Sequence, residues 1–439
     1  MKRFLENLAE LRSFLILWLT QSFSALGSAM TSFALVIWAY RQEGSALSAS
    51  LLAVCTYAPY VLLSIFAGAW SDRWNKKLTM LVSDSFAALS TLAVLFLMKT
   101  DSLALWHLYV VNALNGLMNT VQQPASEVAI SLLVQQKHFQ KVSGMRSFSN
   151  SLISILTPVL ATALLTLAGI DVVILFDLAT FVTAFVALLV FVRIPKIKKN
   201  LDTARESVFQ SVRGGLRFLA DNRGILDLIL FLAIINFIAS IFNAAQPAML
   251  LSREGGGDVA LGMVNTFTGL ATLAGSMLVT LLPAPKSRVR VILNCLLLSM
   301  STENFILAFG RSTPVWCIGA VLGWLAIPIM GANMDVLFRS RIPVEMQGRV
   351  YSVRNTLQFF TIPLGYLFGG FLVDRVFEPF MAGQPRNSLL PMLFGNGKGS
   401  GAALLFLVIG VFGALSCLPF RWDRHIWRLE EADDRQAAA

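Results

Sequence analysis

Three acidic residues, Asp84, Asp177 and Glu303, stand inside stretches that otherwise carry no charge: residues 78–98, 172–192 and 291–310. An ionised carboxylate held in hydrocarbon costs on the order of several kcal/mol, so such a group faces a cavity, finds a partner or takes up a proton. All three are therefore candidates for coupling to proton movement. Asp84 lies seven residues past Lys77, about 10 Å along a helix, where it could equally support the charged turn before it. Asp177 sits six residues from Asp171, and Glu303 adjoins Asn304. A structural hydrogen bond is the alternative role for both.

The elements that must carry these acids are membrane helices. Residues 44–71 hold no charged side chain, and each long uncharged stretch exceeds the roughly 20 residues needed to cross about 30 Å of hydrocarbon. Between the second and third stretches comes Gly68-Ala69-Trp70-Ser71-Asp72-Arg73-Trp74-Asn75-Lys76-Lys77, whose carboxylate and three cations must lie in water. Cutting the chain at its charges gives twelve spans. The two ends of those spans differ in cations, with 28 of the 35 basic residues on the side of that turn and of both termini. The positive-inside rule assigns that side to the cytoplasm. The expected location is a bacterial cytoplasmic membrane, crossed many times, with both termini inside.

Composition agrees, at 56% hydrophobic and 14% charged residues with a mean hydropathy of +0.68, where soluble domains carry roughly 25% charge. The net charge of +10 is spread between apolar spans rather than gathered on one face, which argues against nucleic acid. Residues 13–40 form an uncharged run longer than a signal-peptide core, so they read as the first retained span. Cys55, Cys295, Cys317 and Cys417 fall in apolar segments without ligand spacing, implying neither a disulfide framework nor a metal site. With no nucleotide loop, metal cluster or nucleophile constellation, the expectation is a protein that is not an enzyme, has no cofactor and is not driven by ATP.

The longest connection on the basic side, residues 193–223, follows the sixth span. It divides the chain into an N-terminal six-helix bundle (1–192) and a C-terminal bundle with a short tail (224–439), the arrangement of a duplicated transporter. Within the linker, Phe209, Val212, Leu216 and Leu219 form a stripe interrupted by Arg213 and Arg217. That pattern predicts an amphipathic helix, lying on the inner leaflet or simply exposed to water. A weak repeat supports duplication: residues 141–146 (KVSGMR) and 349–354 (RVYSVR) enter spans five and eleven, 208 residues apart. Each is followed by a proline, Pro158 and Pro363, that should loosen its helix. Gly365 and Gly369 are spaced for close helix contact.

The turn at residues 68–77 resembles the signature of the major facilitator superfamily, with Gly68, then Asp72-Arg73, then two basic residues, Lys76 and Lys77. Asn75 stands where that pattern has a second glycine, and asparagine tolerates left-handed backbone. Closer likeness is to the drug-proton antiporter branch that includes macrolide efflux pumps and enterobactin exporter-like proteins. It rests on Leu17-Trp18-Leu19-Thr20-Gln21 with Gly27-Ser28, on Gln347-Gly348-Arg349-Val350, and on Asp374-Arg375-Val376-Phe377-Glu378-Pro379. The resemblance implies an all-α membrane fold of two pseudo-symmetric six-helix bundles. It also implies a conformational latch of Gly68, Asp72, Arg73, Lys76, Lys77 and Arg349, in which a carboxylate meets the positive N-terminus of span eleven. Setting topology alone is the other role these charges could have. The chain departs from many antiporters in offering no arginine in span four and no glycine-rich pattern in span five.

If the superfamily arrangement applies, spans one, four, seven and ten line a substrate cavity. Their polar residues are Gln21, Ser24, Ser28, Thr31, Asn112, Asn115, Asn119, Asn236, Asn243 and Gln246. Amides and hydroxyls among Phe, Met and Leu suit a bulky amphipathic ligand better than a sugar or an inorganic ion. Some of them must instead be interhelical hydrogen bonds. The expected function is export of a hydrophobic or amphipathic small molecule, drug, macrolide or siderophore-like, by alternating access in exchange for protons, by a monomer in the lipid bilayer. Lipid or lysophospholipid transport, solute uptake by symport, and a non-transporting membrane sensor are the alternatives.

Overall fold

The computed structural model describes residues 11–135, 138–195, 208–283 and 285–437, with the side chains of residues 64–73, 139–141, 143, 208–211, 280, 339, 344–345, 347–349, 352 and 431–437 outside that description. Among the described residues every regular element is helical. The first six are α1 (Arg12–Glu43), α2 (Ala46–Arg73), α3 (Lys76–Lys99), α4 (Leu105–Leu133), α5 (Phe139–Ala168) and α6 (Ile170–Val186), the last ending in a π turn over Ala187–Phe191. After the short α7 (Val208–Asp221) come α8 (Arg223–Ser252), α9 (Asp258–Leu281) and α10 (Arg288–Phe309). Span ten is split into α11 (Thr313–Trp324) and α12 (Ile327–Arg341). Span eleven is split into α13 (Val344–Phe359) and α14 (Thr361–Phe371), followed by a π turn (Leu372–Phe377) and α15 (Glu378–Ala382). The chain closes with α16 (Leu389–Phe394), α17 (Ser400–Arg421) and α18 (Arg424–Ala437).

Eleven of these segments are long and apolar enough to cross a membrane. The 29-residue α4 falls short in hydropathy because it carries Asn112, Asn115, Asn119, Gln122, Gln123 and Glu127, yet at about 43 Å it has the length of a crossing. Large apolar side chains such as Leu62, Leu167 and Leu281 point outward. On a surface that size, such side chains call for lipid rather than water.

The chain forms two compact units, one of residues 1–38 and 55–205, the other of residues 39–54 and 206–439. The second unit thus takes the end of α1 and the start of α2, a hairpin that the span count alone leaves with the N-terminal helices. In the first unit, Leu17 of α1, Met80 of α3, Ala125 and Ala129 of α4 and Leu188 after α6 share one buried cluster. Leu26, Met30 and Ala34 of α1 join Ala161 of α5 and Val173 of α6 in another. In the second unit, α8 is the central helix. Phe231 and Phe242 pack with tilted rings against Phe420 and Phe406 of α17, the centroids 4.2 and 5.1 Å apart. On its other side, a Cβ at Gly365 would lie 2.6 Å from the Phe237 carbonyl oxygen, and one at Gly369 2.9 Å from Ala244. The two glycines therefore let α14 press against α8, the close contact their spacing predicts.

The two prolines expected to loosen equivalent helices act differently. α5 runs through Pro158 without a break, whereas span eleven breaks at Phe360, three residues before Pro363. At the break the Gln358 carbonyl accepts from Asn236 Nδ2 of α8 (3.2 Å) and from Thr361 Oγ1 (3.2 Å), and the Thr361 hydroxyl also reaches the Ala233 carbonyl of α8 (3.0 Å). That polar support is what makes the break stable inside an apolar layer. The linker helix also differs from a simple apolar stripe. Gly215 and Leu219 are covered and α7 packs along α13, while Leu216 and Arg217 are exposed.

Candidate functional site

In the first unit, α1 presents Gln21, Ser24 and Ser28 at helical spacing, and α4 presents Asn112, Asn115, Asn119 and Gln122. Two of the three acids inside the spans meet these faces. Asp84 of α3 accepts from Gln21 Nε2 at 3.0 Å through one oxygen and from Gln122 Nε2 through the other. One carboxyl thereby joins three helices. Asp177 of α6 accepts from Ser28 Oγ at 2.9 Å. The contact depends on Gly27, because a Cβ there would lie 2.9 Å from the Asp177 backbone and 2.4 Å from Thr180 Oγ1. In the sequence Gln122 stands next to Gln123, below three asparagines of the same helix, with nothing to single it out.

The other polar residues divide. Asn112 accepts from Thr56 Oγ1 of α2 (3.0 Å) and donates to the Leu108 carbonyl (2.8 Å), so it is an interhelical bond. Asn115 has a buried Oδ1 with no partner among the described residues. Thr31 is buried, Ser24 half-buried and Asn119 exposed. In the second unit, Asn236 joins α8 to the break in span eleven, Asn243 is half-buried and Gln246 is buried.

Glu303 is a different kind of acid. It is buried between α10 and α11, takes one hydrogen bond, from Trp324 Nε1 at 3.1 Å, and fits only because Gly323 has no Cβ, which would lie 2.4 Å from Glu303 Oε2. The second unit also encloses a cation that in sequence is one basic residue among those beyond the spans. Arg253, just past α8, donates to the carbonyls of Leu307 (3.1 Å), Ala308 (3.2 Å) and Phe394 (2.9 Å). It gathers the C-terminal ends of α10 and α16, where a positive charge complements the helix dipole. Burial, with Arg311 nearby, pushes this guanidinium down to about 10, which leaves it charged at neutral pH. Within span eleven, Arg354 bonds Gln358 Oε1 (3.1 Å) and lies 4.4 Å over the Phe338 ring.

Around the charged turn, the side chains of Gly68, Asp72, Arg73 and Arg349 lie outside the described residues. Lys77 Nζ donates to the carbonyls of Leu189 (3.0 Å) and Val192 (2.7 Å), which the π turn ending α6 leaves available. Lys76 is buried and reaches the Trp74 carbonyl at 3.4 Å. Asn75 is not left-handed. Its φ of −69° and ψ of 116° are extended, and its side chain accepts from the Leu78 N–H at 3.3 Å as the N-cap of α3. The substitution for glycine therefore works by capping a helix rather than by permitting an unusual backbone.

The motif at residues 374–379 acquires a geometric meaning. Asp374 and Glu378, four residues apart across the π turn, each accept from the start of another helix. Asp374 takes the N–H groups of Ala46 (2.9 Å) and Leu47 (2.8 Å) and the Ser45 hydroxyl (2.6 Å) at the start of α2. Glu378 takes the N–H groups of Gly399 (3.0 Å) and Ala402 (3.1 Å) at the start of α17.

The family description Major Facilitator Superfamily matches residues 17–366. The chain is 22% identical over 366 residues to macrolide efflux protein A of Streptococcus pyogenes, covering 83% of this chain and 90% of that protein. It is 24% identical over 322 residues to macrolide efflux protein A of Enterococcus faecalis, covering 73% and 98%. A POT family transporter solved in complex with 5-aminolevulinic acid superposes with a TM-score of 0.68 at 12% identity, covering 93% of this chain and 95% of that one. The nucleoside transporter NupG superposes with a TM-score of 0.66 at 11% identity, covering 93% and 99%. At such identities the likeness to the solved structures is one of fold.

Proposed function

This chain belongs to the Major Facilitator Superfamily and is a multi-pass membrane transporter rather than an enzyme, and from that premise we propose that it exports a hydrophobic or amphipathic small molecule of the macrolide kind in exchange for protons. The observation that carries the substrate class is the alignment, along most of both chains, with two proteins named for macrolide efflux. The two six-helix bundles alternate access, the basic side of the helices with both termini faces the cytoplasm, and the transporter acts as a monomer.

Asp84 suits the coupling role best, because each of its oxygens accepts an amide N–H from a helix that also carries cavity residues. Adding a proton to one oxygen displaces an N–H donor, and the glutamine must then turn to offer its carbonyl oxygen instead. Protonation is thereby read by α1 and α4 together. Asp177 of α6 and Ser28 of α1 form a second, smaller relay that also ends on α1. Glu303 meets only an indole N–H, so we assign it a secondary part in coupling. Gln21, Ser24, Ser28, Thr31, Asn112, Asn115, Asn119, Asn236, Asn243 and Gln246 supply the polar points of the cavity. Asn115, whose buried Oδ1 has no partner among the described residues, has an acceptor open to a ligand donor. Gly68, Asp72, Arg73, Lys76, Lys77 and Arg349 form the cytoplasmic latch.

The test uses inside-out vesicles acidified inside, with lumenal pH followed as macrolides, siderophores and lipophilic cations are added. Proton release that depends on a macrolide, disappears with a protonophore and is lost in Asp72→Asn is the expected result. Folded protein that gives no response to any of these compounds overturns drug-proton antiport, and weight passes to lipid transport, uptake or a sensor.

A further inference from the structure

The hairpin of residues 39–54 belongs to the second compact unit although its sequence lies in the first two helices. Several contacts fasten it there. Tyr40 donates its hydroxyl to the Ala248 carbonyl of α8 at 3.2 Å, and Arg41 pairs with Asp258 in the first turn of α9. Gly370 lies against α2 so closely that a Cβ would sit 2.6 Å from Leu47 Cα. The central contact is Asp374. Ser45 caps α2 in the ordinary way, its hydroxyl oxygen accepting from the Ser48 N–H at 3.0 Å. The two N–H groups that Ser45 leaves uncovered, those of Ala46 and Leu47, go to the two oxygens of Asp374. The start of α2 is therefore completed by a residue 328 positions away from it, and α2 cannot leave α14 without exposing two donors at the positive end of its dipole.

Glu378 provides the contrast within one motif. It performs the same service for α17, which lies wholly inside the second unit. One carboxylate closes a joint that has to part if the first two helices move with their own unit, and the other closes a joint that does not.

We propose that Asp374 is the clasp of the outer gate: its bond to the start of α2 holds the α1–α2 hairpin on the C-terminal half, and its release accompanies opening to the outside. This rests on the reading that the end bearing Gly44 faces outward. The clasp is the counterpart, at the opposite end of the same two helices, of the cytoplasmic latch expected at Asp72, with the roles reversed: there α2 would offer the carboxylate and span eleven the helix start.

The experiment places spin labels at Gln42 and Asn387, both exposed, in full-length protein in lipid nanodiscs, with Cys55, Cys295, Cys317 and Cys417 replaced by serine or alanine. The distance distribution is read by pulsed electron resonance. Asp374→Ala should raise the ratio of long to short distances about tenfold, the scale of a lost charged cap. Asp374→Asn, which keeps a capping oxygen, should shift it much less. Glu378→Ala should lower the melting temperature and leave the ratio unchanged. If Asp374→Ala proves poorly folded, Gly370→Ala tests the same joint with the carboxylate intact and should favour the long distance. Folded Asp374→Ala or Gly370→Ala with an unchanged ratio overturns the clasp, as does a shift of equal size in Glu378→Ala. Reaction of Gln42→Cys with a membrane-impermeant maleimide on intact cells checks the orientation separately. A clasp that opens in a protein that moves no macrolide would leave the clasp standing and remove only the substrate.

Discussion

Several key charges are satisfied differently in the two compact units. In the first, Asp84 and Asp177 meet neutral side-chain donors on α1 and α4, Gln21, Gln122 and Ser28. In the second, Arg253 is closed in by three backbone carbonyls, Glu303 by Trp324 and the space at Gly323, and Glu378 by the start of α17. Side-chain partners can rearrange when a proton arrives, whereas backbone partners at helix ends can only be kept or lost. On the proposed coupling, the side-chain partners of Asp84 and Asp177 suit proton chemistry, and the backbone partners of Arg253 and Glu378 suit anchoring.

The largest effect should come from Arg253→Ala. It strands three carbonyls and empties a buried site, and a loss of about 3 kcal/mol or more is expected, read as a fall in melting temperature and in folded yield. If this variant kept its stability and lost only transport, the assignment of anchoring would fail. Next, Asp84→Asn should reduce substrate-dependent proton movement by at least about tenfold while the melting temperature holds, since an uncharged amide can still bond its neighbours but cannot cycle a proton. Glu303→Gln sharpens the contrast: it retains an acceptor for Trp324 and should leave transport within about twofold. Equal losses in these two variants would erase the distinction between the units.

Packing variants come lower on the scale. Gly27→Ala and Gly323→Ala should each cost about 1–3 kcal/mol of stability, one by forcing α1 off α6 and the other by crowding Glu303. Only Gly27→Ala should also impair transport, because it displaces the Ser28 contact with Asp177. The smallest change is Asn75→Ala, which removes the cap of α3 for about 1 kcal/mol, whereas Asn75→Gly should cost only a few tenths.

Much of the fold was legible in the sequence because a charge cannot rest in hydrocarbon. The uncharged runs therefore marked the helices, and the acids inside them, Asp84, Asp177 and Glu303, stood out as residues needing partners. Gly365 and Gly369 announced a close helix contact by their spacing alone. Other features were not legible. The KVSGMR and RVYSVR repeat gave equal weight to Pro158 and Pro363, but the helix breaks only near Pro363, where Asn236 and Thr361 are in place to take up the freed carbonyl. Arg253 counted as one more basic residue beyond a span, since its carbonyl partners lie 54, 55 and 141 residues away.

That this is a chain of membrane-crossing helices, where they run and which end is rich in cations follow from residue types alone, because transfer free energy and charge are properties of residues taken one stretch at a time. Only the tertiary structure decided which acid meets a movable amide and which is walled in, that Asn75 is a cap, and that Asp374 completes the start of α2. Those are facts of pairing, and a hydrogen bond between groups hundreds of residues apart exists only once packing has brought both ends to within about 3 Å.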